Sequence, residues 1–106
     1  MGENIADLGG VNIAFDALQM YLKDKGNPGK ISGFDQNQRF FLSWATVWRT
    51  KGTEKFYINQ VKTDSHSPGM YRAFGPLVNT EAWYKAFGVK EGDKHYKKPE
   101  DRIKIW

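Results

Sequence analysis

Cysteine is absent from the 106 residues. That excludes disulfides and thiolate-held metal sites outright and leaves the redox compartment open. No stretch approaches the roughly 20 consecutive apolar residues that a membrane-crossing helix needs. No secretory leader is expected: Gly2 and Glu3 follow Met1 where a basic region and then an apolar one would stand. The myristoylation pattern fails at Ala6, where serine or threonine is required. Sustained apolar–polar alternation, hairpin signals, internal repeats and low-complexity segments are also missing.

What is present points to a packed helical unit. Hydrophobic residues make up 40% and aromatics 15%, which argues against disorder. The length suits one domain with a modest core. The formal charge of +4 is uneven. Residues 1–24 carry Glu3, Asp7, Asp16 and Asp24 against Lys23 alone. Residues 85–106 carry Lys85, Lys90, Lys94, Lys97, Lys98, Arg102 and Lys104 against Glu91, Asp93, Glu100 and Asp101. Because these lysines alternate with acids, the segment reads first as a solvated surface. A small basic module that binds an acidic partner or nucleic acid is the alternative.

Helical periodicity recurs along the chain. Ile5, Leu8, Val11, Ala14, Leu18, Tyr21 and Leu22 step by three and four, which predicts a helix over 3–24. Gly9 and Gly10 interrupt it, each at a cost of about 1 kcal/mol relative to alanine, so packing must offset them. A second helix is expected over 35–50, capped by Ser32 or Asp35, with Phe40, Phe41, Trp44, Val47 and Trp48 as its heavy side. A third starts at a Thr53 cap and runs through Phe56, Ile58 and Val61. Ser67-Pro68 is a helix-start signature for 68–75. Asn79 or Thr80 caps a fifth helix with Trp83, Tyr84 and Phe87 for packing. Beyond Gly88 the chain turns polar and closes on Ile103, Ile105 and Trp106, apolar enough to dock. The expected class is all-α, a compact bundle of about five helices in a single unit, 1–106.

The candidate chemistry is sparse. Glu3 and Asp7 fall on one helix face one turn apart, where like charges repel by a few tenths of a kcal/mol. Acids in a first turn suit the helix dipole; a metal ligand beside a second acid is the functional reading. His66 lies just before a helix start with Asp64 close by, and reads singly as a surface group or local hydrogen-bond partner. His95, among lysines, reads as solvated. Arg72, alone, is most simply half of a surface ion pair.

Taken in order, ENIADLGG (3–10), FFLSWATVW (40–48), KTDSHSPGMYRAFG (62–75) and the terminal aliphatic–Trp106 pair resemble the C-terminal part of the neprilysin and endothelin-converting-enzyme family of zinc metallopeptidases. The resemblance spans essentially the whole chain. It implies the all-α C-terminal part of a zincin-type, thermolysin-like catalytic domain. It further implies that Glu3 is the third zinc ligand and that Asp7 hydrogen-bonds a zinc-ligand histidine. His66 would steady the oxyanion, Asp64 would orient His66, and Arg72 would bind a substrate backbone carbonyl. Val47 and Trp48 would line the pocket for the side chain just after the cleaved bond.

The family's H-E-x-x-H motif, which brings two zinc ligands and the general base, does not occur in this chain. Met1 and Gly2 abut the first motif as a cut would leave them. The expectation is therefore a peptidase part that is inactive alone, without a tight Zn²⁺ site. Its partners would be peptide substrates and the rest of the catalytic domain, not nucleic acid, with self-association through exposed apolar surface a further possibility. The family suggests an extracytoplasmic parent, and the lack of cysteine a bacterial one.

Overall fold

The computed structural model describes residues 2–49, 51–64 and 66–105. Met1, Thr50, Ser65 and Trp106 lie outside them, and with them the expected end of the second helix, one position of the D-x-H-S-P motif and the terminal tryptophan. Among the described residues five helices follow in order: α1 (Gly2–Lys25), α2 (Gln36–Val47), α3 (Glu54–Thr63), α4 (Gly69–Phe74) and α5 (Glu81–Phe87). Short 3-10 turns stand at Leu77–Asn79 and Pro99–Asp101. Among the described residues there is no strand, only an isolated bridge between Ile31 and Phe34. The class is all-α.

Local chemistry explains the boundaries. Asp35 closes a full capping box on α2: its Oδ1 accepts the Gln38 N–H at 2.8 Å, and Gln38 Oε1 accepts the Asp35 N–H at 3.0 Å. The helix stops earlier than its sequence pattern extends. Trp48 N bonds to Ala45 O at 3.2 Å and Arg49 N to Thr46 O at 3.1 Å, a tightened final turn that leaves Trp48 as cap. Thr53 caps α3 as expected, accepting from Phe56 N at 3.1 Å. Ser67 does not cap α4. Pro68 is extended at ψ 150°, so the helix begins one residue later and the Ser67 hydroxyl donates instead to Asn4 Oδ1 on α1 at 2.9 Å. Thr80 occupies the cap position of α5, but its buried hydroxyl donates to Pro76 O at 2.7 Å.

The core gathers where α1, α2, α5 and the Leu77–Asn79 turn meet. Val11, Phe41 and Leu77 are buried together, with Phe15, Phe40, Trp44, Ala82, Trp83 and Ala86 packed against them. Phe15 stacks on Phe41 at 5.3 Å and meets Phe40 edge-on at 5.6 Å. On α1 the inward stripe is Leu8, Val11, Phe15, Leu18 and Leu22. At 100° per residue, Phe15 falls between Leu22 and Leu8, whereas Ile5, Ala14 and Tyr21 lie to the sides of this stripe and are exposed. The opposite face of α1, with Ala6, Gly10, Ile13, Ala17 and Met20, is also apolar and is exposed along its length.

The Cα radius of gyration is 15.3 Å, against about 13 Å for a sealed domain of this length. The C-terminal segment docks by polar contacts rather than by its isoleucines, since Ile103 is 56% exposed. Arg102 is its clasp: it bonds Glu81 at 2.7 Å and Lys97 O at 2.8 Å and lies 3.6 Å over the Tyr84 ring. Two groups of the basic tail, Arg102 and Lys97, thus face inward, the latter toward Asn79.

Phe41→Ala, at 1% exposure, is expected to destabilise the chain by about 3–5 kcal/mol, while Ile13→Ala on the open face costs less than about 0.5 kcal/mol. Urea unfolding followed by tryptophan fluorescence measures both.

Candidate functional site

The first two turns of α1, the loop after α3, the start of α4 and the end of α2 converge. The two acids of α1 are one turn apart, yet each has a separate cationic or imidazole partner brought in from more than 60 residues away. Glu3 Oε2 lies 3.1 Å from His66 Nε2. The other imidazole nitrogen, Nδ1, lies 3.0 Å from Asp64 Oδ1, which also accepts the His66 backbone N–H at 2.9 Å. That backbone bond, reinforced by the imidazole, holds the Asp64 carboxyl below its ordinary pKa. His66 is therefore lodged between two carboxylates, with its backbone fixed by one of them.

Asp7 is taken by Arg72. The guanidinium donates from Nε to Oδ2 and from Nη2 to Oδ1, both at 2.8 Å, the fork geometry in which arginine grips a carboxylate. Hydrogen bonding to Asp7 raises the Arg72 pKa further, so the charge is permanent. The two side chains are 12% and 16% exposed, so this is a partly buried clamp and not the surface pair that Arg72 alone suggested. Glu3 and His66, at 48% and 39%, stand in the open beside it. The Arg72 guanidinium also lies 3.9 Å over the Trp48 ring.

Of the sequence-predicted residues, Glu3, His66 and Asp64 form one contact group and Asp7, Arg72 and Trp48 a second beside it, with the charges of Glu3 and Asp64 felt at Arg72. Val47 is 64% exposed on the last turn of α2 and joins none of these contacts. Two participants, Asn4 and Trp44, lie outside the sequence-predicted site residues. Asn4 receives the Ser67 hydroxyl and ties the His66 loop to α1. Trp44 donates from Nε1 to Arg72 O at 3.1 Å. The Trp48 Nε1 is buried without a hydrogen-bond partner among the described residues. The legible signal for both tryptophans was the indole itself, a donor set in an apolar stripe that needs an acceptor.

Among the described residues, no group of three or more histidine, aspartate or glutamate side chains could hold a metal ion. A zinc site needs three or four protein donors. Glu3 fits as one such donor, because its carboxylate is half exposed at the rim of the cluster; the chain does not complete the set.

The helical unit thus presents a carboxylate, a carboxylate-braced histidine and a clamped arginine on one edge. The structure superposes on the zinc metalloprotease ZMP1 of Mycobacterium tuberculosis, solved with an inhibitor, at a TM-score of 0.91 and 43% identity, covering 99% of this chain and 16% of that one. Human neprilysin is 39% identical over 108 residues, and the neutral endopeptidase of Lactococcus lactis subsp. lactis 39% over 106. Both alignments take in all of this chain, but only 14% and 15% of those proteins. The model of peptidase family M13 matches residues 1–103, and the chain belongs to that family.

The two ion pairs respond differently to substitution. Asp7→Asn leaves a partly buried guanidinium half-paired and is expected to cost about 1–3 kcal/mol, whereas Glu3→Gln costs less than about 1 kcal/mol. Denaturation in low salt and at 1 M NaCl separates them: the Glu3→Gln difference fades with salt and the Asp7→Asn difference persists.

Proposed function

We propose that this chain serves as the C-terminal part of the catalytic domain of a zinc-dependent metalloendopeptidase that cleaves peptides on the amino side of hydrophobic residues. Membership of the family supports the reading, and the observation that carries it is the cluster itself. Glu3, His66 and Asp64 are linked within 3.1 Å, and the Asp7–Arg72 clamp adjoins them on α1.

The proposed roles follow from these positions. Glu3 is this chain's zinc ligand, and the bound metal supplies an acidified water and a polarised carbonyl. His66 donates an N–H to the oxygen on which negative charge develops, and Asp64 keeps the imidazole turned for that task. Asp7 holds Arg72 in place and meets a ligand histidine of the remaining domain. Arg72 binds a substrate backbone carbonyl with donors that Asp7 leaves unused; a guanidinium has five N–H groups and Asp7 takes two. Trp48 and the exposed Val47 line the pocket for the side chain after the scissile bond.

The rest of the catalytic domain, with the H-E-x-x-H segment, is the proposed partner. An apolar neighbour fits the exposed face of α1, where a Cβ at Gly10 would meet nothing within 4 Å and a backbone can approach closely. A groove of about 770 Å³ beside the clamp, lined by Ile5, Leu8, Met70, Phe74, Val78 and Ile103, is open as well. Alone, the chain is proposed to be inactive and prone to self-associate through these surfaces. An extracytoplasmic, bacterial parent fits the family and the similarity to Lactococcus and Mycobacterium proteins. Among the described residues no helix is long and apolar enough to cross a membrane.

A chimera tests the reading, with these 106 residues replacing the matched part of the Lactococcus lactis neutral endopeptidase. It is expected to bind zinc and cleave peptides. Glu3→Gln should release the metal. His66→Phe should retain the metal and lower kcat by about 10²–10³-fold. Full activity after Glu3→Gln, or a His66→Phe variant altered only in KM, would refute the assigned roles.

A further inference from the structure

We propose that Trp44 is a positioning residue for Arg72, holding its backbone carbonyl directly and backing Trp48, the ring on which its guanidinium rests. The inference rests on the reading of Arg72 as the substrate-binding group. α4 has six residues, too few to be stable alone, and the carbonyls of its last turn lack partners within the helix. Gly75 N takes the Tyr71 carbonyl at 2.7 Å. The next one, Arg72 O, is taken from outside by Trp44 Nε1 at 3.1 Å.

At the other end of the residue the same indole acts through its neighbour Trp48. Trp44 on α2 and Trp48 at its C-terminal cap meet edge to face at 5.6 Å, and Trp48 carries the Arg72 guanidinium at 3.9 Å. Trp44 is itself packed against the Val11–Phe41–Leu77 cluster. The position of Arg72 is thus referred to the core of the molecule through one side chain, while Asp7 refers it to α1. Phenylalanine at 44 would keep the ring contact with Trp48 and forfeit the bond to α4.

The test uses the zinc-loaded chimera with Trp44→Phe, Arg72→Lys and the double variant, assayed on a peptide with an apolar residue after the scissile bond. Trp44→Phe is expected to raise KM about three- to tenfold, the worth of one hydrogen bond, with kcat and zinc content unchanged. In the Arg72→Lys background the same change should add less than about twofold, because the group it positions has gone. Benzothienylalanine at position 44 keeps the fused ring without the N–H. It should reproduce the KM rise even if phenylalanine is not tolerated. Equal factors in both backgrounds, a loss confined to kcat, or unaltered KM with benzothienylalanine would each overturn the inference. Unchanged kcat/KM in Arg72→Lys itself would instead overturn the substrate-binding reading, and the inference with it.

Discussion

The bidentate bond between Asp7 and Arg72 is the constraint on which the site depends. α1 and α4 are joined through few other contacts, and α4 is too short to hold its own position. With both Asp7 oxygens engaged at 2.8 Å by one planar guanidinium, the distance and the roll of α4 relative to α1 are set together. Just before α4, the Ser67 hydroxyl adds a second tie to α1 through Asn4. His66 arrives at Glu3 as a consequence. The like-charge cost of two acids four apart on α1 is removed by the same arrangement, since one faces a guanidinium and the other an imidazole.

The fold serves this edge at the expense of closure. The buried residues are few among those described, and α2 supplies the least exposed apolar one, Phe41. α2 begins with a capping box and packs on α5, so it is the firm element against which Trp44 and Trp48 can lean. α1 is different. Its inner stripe seals the core, and its outer stripe of Ala6, Gly10, Ile13, Ala17 and Met20 is as apolar as a second core face would be. A helix hydrophobic on two sides is what a wall between two packed layers looks like.

Much of this was legible residue by residue. The five helices follow from apolar periodicity and from Asp35, Thr53 and Gly88, because caps and 3.6-residue spacing are local properties. Ser67 was misread for the converse reason. A serine before proline can cap a helix, but a hydrogen bond to Asn4, 63 positions away, competes and wins once α1 is alongside. On α1 the core takes Phe15 and leaves out Ile5, Ala14 and Tyr21, since two apolar faces give overlapping stripes and nothing local says which one meets the core. The site residues emerged from the family's motifs rather than from spacing. Spacing alone favoured a surface pair for Arg72, because burial of an ion pair is a tertiary fact that neither partner's sequence neighbours carry.

Exposure divides the cluster into fixed and exchangeable halves. Asp7 and Arg72 are mostly withdrawn from water, so their mutual bond meets little competition and stays put. Glu3 and His66 are about half in water, where a carboxylate–imidazole contact is weak and easily traded. A group that must later bind a metal, and one that must later meet a developing charge, need partners they can leave. A group that must grip a substrate in a set direction needs one it keeps. The proposed roles fall on the side of this divide that each requires: ligand and oxyanion donor on the exposed pair, carbonyl grip and its brace on the withdrawn one. The two acids share a helix face and a one-turn spacing, so the difference between their roles arises from what α4 and its loop place opposite each of them.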